Sequence, residues 1–202
     1  MNNDPGILAI SRGNAPARGG VTITLFGQGF LNNDTSILNN PAKDYAITVG
    51  DTACDNTHWI SETAIQCGVQ PGTGSARAVS LTVNGNWSSN ATFSFDAPQV
   101  DYVLLYSSTS GGGHGEIKGR NFGTSDTGIE VFLGDTGCDP TEWISDSSLT
   151  CVASPGVGHD LPIAVMLHRN TSAEQSGVAA ARFSYKPPTV VSSGPSQQVG
   201  TL

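Results

Sequence analysis

Charge is scarce in this chain of 202 residues: 13% of the side chains are Asp, Glu, Lys or Arg, and the lysines are Lys43, Lys118 and Lys186 alone. Nine basic side chains against seventeen acidic ones leave a formal charge of −8. With no basic patch to neutralise phosphates, nucleic acid is excluded as an expected partner. No run approaches the roughly eighteen consecutive apolar residues that cross a bilayer, so direct membrane insertion by this segment is not expected. The opening Met1-Asn-Asn-Asp-Pro5 lacks the charged and apolar regions of a signal peptide. Nor does any stretch sustain a helical period. Histidine is sparse too: His58, His114, His159 and His168. No Gly-x-Ser-x-Gly, His-Glu-x-x-His or phosphate loop accompanies them. The expectation is a chain that is not an enzyme, with no catalytic residue and no cofactor.

What is present is a duplication. Gly50-Asp-Thr-Ala-Cys54-Asp-Asn-Thr-His-Trp59-Ile-Ser61, running on to Cys67, recurs as Gly134-Asp-Thr-Gly-Cys138-Asp-Pro-Thr-Glu-Trp143-Ile-Ser145, running on to Cys151. The two copies agree at ten of the nineteen positions from Val49 to Cys67 and from Leu133 to Cys151. All four cysteines fall in these copies at one spacing. Three connectivities are formally possible, and the most economical pairs Cys54 with Cys67 and Cys138 with Cys151. A zinc site is the alternative, but it wants short Cys-x2-4-Cys pairs or added histidines. The Asp51 and Asp55 pair and its copy, Asp135 and Asp139, match no calcium loop and suit ordinary turns. No metal is therefore expected. Persistent disulfides imply an oxidising compartment. With no signal peptide at the start, the chain reads as a piece of a longer secreted protein.

Along the chain, Val21-Thr-Ile-Thr-Leu25 alternates strictly, with Val21, Ile23 and Leu25 on one face. Gly27-Gln-Gly29-Phe30 ends it, and a polar loop leads to a strand at Ala46–Val49. Pro71-Gly-Thr-Gly74, the strand Val79–Val83, the tight-turn signal Asn84-Gly85 and the return strand Ala91–Phe95 follow. The second half retraces the path through Gly119-Arg-Asn-Phe122, Ile129–Leu133, Pro155-Gly-Val-Gly158, Ile163–Leu167 and Phe183-Ser-Tyr185. One departure stands out: Gly113, His114 and Gly115 lie where the first copy has Val21 and Ile23. Glycines there fit a frayed strand or flexible loop, or else an edge that lets a partner backbone approach.

This ordered pattern, repeated over nearly the whole chain, resembles the IPT/TIG family of immunoglobulin-like, early-set β-sandwiches found in plexins, Met-type receptors, fibrocystin-like ciliary proteins and protist or algal surface proteins. The resemblance implies an all-β fold of two tandem sandwiches and an extracellular or cell-surface setting, ciliary or flagellar surfaces included. The expected domains are residues 5–98 and 99–188. Residues 189–202, with Val191-Ser-Ser-Gly-Pro195, look like the start of a further repeat.

Candidate sites follow from placement. Sequons stand at Asn33, Asn86, Asn90 and Asn170, where N-glycans are expected. Asn33 falls in the long first-domain loop, and the other three at the tips of the last hairpins. Trp59 and Trp143, beside the cysteines, are expected to pack in the core. Trp87, set among polar neighbours at a hairpin tip, is a candidate partner anchor. Together these point to a recognition or adhesion segment that contacts a protein partner. The alternative is a filament or coat unit that contacts copies of itself.

Overall fold

The computed structural model describes residues 4–30, 45–83, 85–125, 128–168 and 174–189. Every regular element among them is a strand: β1 (Gly6–Ile10), β2 (Asn14–Ala15), β3 (Val21–Gln28), β4 (Tyr45–Val49), β5 (Thr52–Ala53), β6 (Asp55–Ser61), β7 (Ala64–Val69), β8 (Arg77–Val83) and β9 (Asn86–Phe95) in the first half. The second half holds β10 (Gln99–Leu105), β11 (His114–Arg120), β12 (Ile129–Leu133), β13 (Thr136–Ser145), β14 (Ser148–Ala153), β15 (Leu161–Leu167) and β16 (Gln175–Phe183).

In the first domain one sheet runs β1-β3-β7-β6 and the facing sheet runs β2-β9-β8-β4-β5. Alternation decides which side chains go inside, because successive residues of a strand point to opposite faces. Ile23 and Leu25 of β3, Ile47 and Val49 of β4, and Val79, Leu81 and Val83 of β8 meet between the sheets with Phe30, Phe93 and Phe95. The second domain repeats this core with Ile117, Phe122, Val131, Leu133, Ile163, Val165, Leu167 and Phe183. Each domain thus has its own two-layered core, which is the arrangement of an immunoglobulin-like sandwich.

The duplicated cysteine stretch is where the chain crosses from one sheet to the other. In the second domain the crossing is a single strand: β13 pairs with β12 at Thr136 and Gly137, then with β14 from Cys138 onward. In the first domain the same path is divided into β5 and β6, with Cys54 between them. Cys54 is bonded to Cys67 and Cys138 to Cys151, with Cα atoms 5.6 and 5.5 Å apart. Each disulfide therefore ties the crossing strand to its neighbour in the sheet.

The Gly-x-Gly-Phe and Gly-x-Asn-Phe motifs have a steric cause. A Cβ on Gly119 would lie 1.9 Å from the Gln99 carbonyl oxygen and 2.6 Å from the Phe122 ring. Gly27 meets the Gly6 carbonyl and Phe30 at 2.0 and 2.5 Å in the same way. Only a residue without a Cβ lets the first strand of each domain close over the buried phenylalanine.

Two expectations are corrected. The segment around Gly113 and Gly115 is neither frayed nor an open edge. β11 is paired with β10 from Gly115 to Arg120 on one side and with β14 from His114 to Lys118 on the other. A Cβ on Gly113 would sit 2.0 Å from the Tyr106 carbonyl oxygen, and one on Gly115 would sit 2.5 Å from the Leu105 Cβ. The backbone that these glycines admit is the chain's own, the end of β10 at Gly115 and its continuation through Tyr106 and Ser107 at Gly113, and His114 stands exposed between them. Likewise Asn86, Trp87 and Asn90 lie within β9, not at a hairpin tip. A tight turn at Gly85, with φ +83°, lets the strand resume at once.

Candidate interface at the domain joint

The last strand of the first domain ends at Phe95, and β10 begins at Gln99. Such a short connection leaves the end of one sandwich against the start of the next. Backbone groups at both ends then need partners, and side chains of the second domain supply them. Gln175, at the start of β16 and 8% exposed, accepts from the Gly74 N–H at 2.9 Å and donates its amide hydrogen to the Phe95 carbonyl. Asn121, 6% exposed, accepts from the Ala17 N–H at 3.3 Å and donates to the Ala97 carbonyl at 3.2 Å. A carboxamide suits both places because it carries donor and acceptor on one rigid group. Asn121 also holds φ at +63°, where the first domain has Gly29 at +72°. Asparagine is among the few residues with a Cβ that visit this left-handed region.

On the same side of the joint, Thr73 Oγ1 and His168 Nε2 share a hydrogen bond of 2.5 Å, and the Ser75 hydroxyl donates to the Glu174 carbonyl at 3.2 Å. Burial holds the His168 imidazole below its usual pKa, and the Arg77 guanidinium of the first domain adds to the effect. Arg77 itself pairs with Asp51 at 2.8 Å. Beside Asn121 a polar cleft of about 610 Å³ opens between the domains, lined by Pro16, Arg18, Asp96 and Ala97 from one side and Gln99, Arg120 and Asp146 from the other.

Among the residues singled out from the sequence, Trp59 and Trp143 pack against the two cores. The Trp59 Nε1–H donates to the Phe30 carbonyl at 2.7 Å, whereas Trp143 Nε1 is buried without a partner. Trp87 is 72% exposed, in cross-strand register with Thr82, and Ala46 lies beyond it. Asn86 and Asn90 are exposed on the same strand. Asn33 and Asn170 lie outside the described residues, as do residues 190–202. The structure does not bring Trp87 together with the segment from Gly113 to Gly115; they belong to different domains.

Sequence reasoning missed Gln175 and the roles of His168 and Asn121. Asn121 carried the one available signal, an asparagine replacing the glycine of the first copy at a position that demands positive φ.

Comparisons with known proteins agree with this architecture. The model of the IPT/TIG domain family matches residues 5–95 and again residues 98–185. Fibrocystin-L of Mus musculus is 24% identical over 179 residues, 88% of this chain and 4% of that protein. Fibrocystin-L of Homo sapiens is 25% identical over 197 residues, 96% of this chain and again 4% of that protein. The chain thus spans a small fraction of these relatives. Among solved structures, a surface glycan-binding protein of Prevotella bryantii superposes with a TM-score of 0.51 at 17% identity, covering 86% of this chain and 41% of its own. With both halves matched and both folded as disulfide-bonded sandwiches, the chain belongs to the IPT/TIG family, as two tandem domains.

Proposed function

We propose that this chain is a non-catalytic recognition and adhesion segment of a larger cell-surface or secreted glycoprotein, in which two docked immunoglobulin-like repeats present loops and strand faces to a protein partner. The observation that carries this reading is the joint. Gln175 and Asn121 bond backbone groups of the first domain from buried positions. Leaving such groups unpaired costs roughly 1–3 kcal/mol each, so features displayed on the two domains keep a fixed spacing. The exposed Trp87 face on β9 is the best-placed contact surface, because large aromatics dominate interface energetics. Paired cysteines suit the oxidising exterior. Small-angle X-ray scattering and light scattering of the oxidised chain over a wide concentration range test the reading. It expects one interdomain arrangement and a mass that does not grow with concentration. A broad spread of interdomain angles, or open-ended growth, overturns it.

One observation favours the second reading, a self-assembling coat or filament unit. Tyr102, Leu104 and Tyr106 alternate along one face of β10 and its continuation, 48%, 53% and 73% exposed. An apolar stripe on a strand at the edge of its sheet is a natural site for contact between copies. Growth of the scattering mass with concentration, lost in Tyr106→Ser, is the outcome that favours this reading.

A further inference from the structure

The duplication built the structure at the joint twice. In the first domain Gly74 takes φ +106°, and its carbonyl accepts from the Phe95 N–H at 3.0 Å; in the second, Gly158 takes φ +125° and accepts from the Tyr185 N–H at 3.0 Å. Two residues earlier the Gly72 N–H donates to the Ala17 carbonyl at 2.8 Å, and the Gly156 N–H donates to Thr109 at 3.1 Å. The end of the second domain therefore repeats the backbone groups on which Gln175 is seated. At the joint that surface is covered, and Gly74 is buried. At the far end Gly158 is exposed and its N–H has no partner among the described residues, while Val157, the counterpart of Thr73, is 77% exposed.

From this we infer that the far end of the second domain is a second docking face, and that its occupant is a further domain of the same family joined in tandem. An amide side chain at the start of that domain's last strand would bond the Gly158 N–H and the Tyr185 carbonyl, as Gln175 bonds Gly74 and Phe95. The backbone groups are what the two faces share; among the side chains, Val157 replaces Thr73, His159 replaces Ser75 and Leu161 replaces Arg77. Val157 offers no hydroxyl to a counterpart of His168, so the amide side chain is the contact that the two faces have in common. A second copy of this chain is a poorer occupant. By strand register its counterpart of Gln175 is Asn86, since Leu167 pairs with Gln175 and Val83 with Asn86. That amide is one methylene shorter and belongs to a sequon, where a glycan would cover it.

This inference rests on the reading of the chain as docked repeats, and the test separates the two. The probe is a chain of residues 1–188 followed directly by a second copy of residues 99–202, which repeats the natural junction. Amide hydrogen exchange is followed at Gly74 and Gly158 in this chain and in the two-domain chain. The Gly74 N–H is expected to be protected in both, and the Gly158 N–H to slow by about tenfold or more only in the longer one. Gln175→Ala in the appended copy alone should return Gly158 to its original rate and leave Gly74 protected. If Gly158 exchanges at one rate in all chains, with Val157→Thr also making no difference, while Gly74 stays protected, the second docking face is refuted and the joint stands. If Gly74 itself exchanges freely, the docked-repeat reading and the inference fall together. Protection of Gly158 that disappears on dilution would come from separate copies and would overturn the tandem occupant.

Discussion

Thr73 Oγ1 of the first domain and His168 Nε2 of the second lie 2.5 Å apart, which places a titratable ring inside the joint between the two sandwiches. Burial first, and then Arg77, holds the imidazole below its usual pKa. Asp51, paired with Arg77, and Glu174, whose carbonyl accepts from Ser75, are the nearby acids. For a histidine whose pKa is lower in the docked state than in the free one, docking is undiminished above the free value of about 6.5. It weakens as pH falls from there through the docked value, because the undocked state takes up the proton first. The joint should therefore be better ordered at pH 7.5 than at pH 5. Alignment of the two domains in residual dipolar couplings measures this. His168→Asn should remove the pH dependence; a joint equally ordered at both pH values in the native chain would show that His168 does not control it.

Gly119→Ala separates a steric requirement from mere strand propensity. The added methyl would fall 1.9 Å from the Gln99 carbonyl oxygen, a backbone atom that cannot swing aside. β10 must then shift off β11 or Phe122 must leave its place, and overpacking of this kind costs about 1–3 kcal/mol. Chemical denaturation should register that loss in the second domain and leave the first unchanged. A neutral outcome would mean that β10 adjusts freely.

Much of this was legible because the chain contains its own comparison. Gly27 and Gly119, the cysteine pairs and the alternating strands recur, and what recurs in two copies of one fold is what the fold needs. The joint was not legible for the converse reason. It uses one end of each domain, so its residues are those in which the copies differ. Gln175 and His168 flank the last hairpin, where the second copy is longer, and nothing in period or composition marks a glutamine that will be buried. The Gly113 to Gly115 segment misled in another way: glycine in a strand signals close approach of a backbone, but the sequence does not say whose.

The two disulfides should act independently. Cys138 and Cys151 are separated by 13 residues, as are Cys54 and Cys67. Closing a loop of that size removes about 3 kcal/mol of unfolded-state entropy in the chain-entropy model. For a domain of this size each kcal/mol shifts the melting temperature by about 4–8 °C. Replacing Cys138 and Cys151 together by Ala should therefore lower the melting of the second domain by about 10–25 °C in calorimetry and split the transition in two. A single transition lowered as a whole would show instead that the joint couples the domains strongly enough to melt them together.

Trp87→Ala should leave stability almost untouched. At 72% exposure the indole forms no part of either core, and substitutions at such positions usually fall within about 0.5 kcal/mol of neutral. That neutrality is what makes the variant informative, since any loss of association or partner binding then reports on contact and not on folding. Asn86 and Asn90 on the same strand sharpen the test, because N-glycans there would compete with a partner for the face. If Trp87 is an anchor, Asn86→Gln and Asn90→Gln should strengthen binding that Trp87→Ala abolishes, read by surface plasmon resonance on chains secreted from a glycosylating host. If Trp87→Ala instead costs more than about 1 kcal/mol in thermal unfolding, the indole supports the β8–β9 pair itself, and the contact surface must be sought elsewhere.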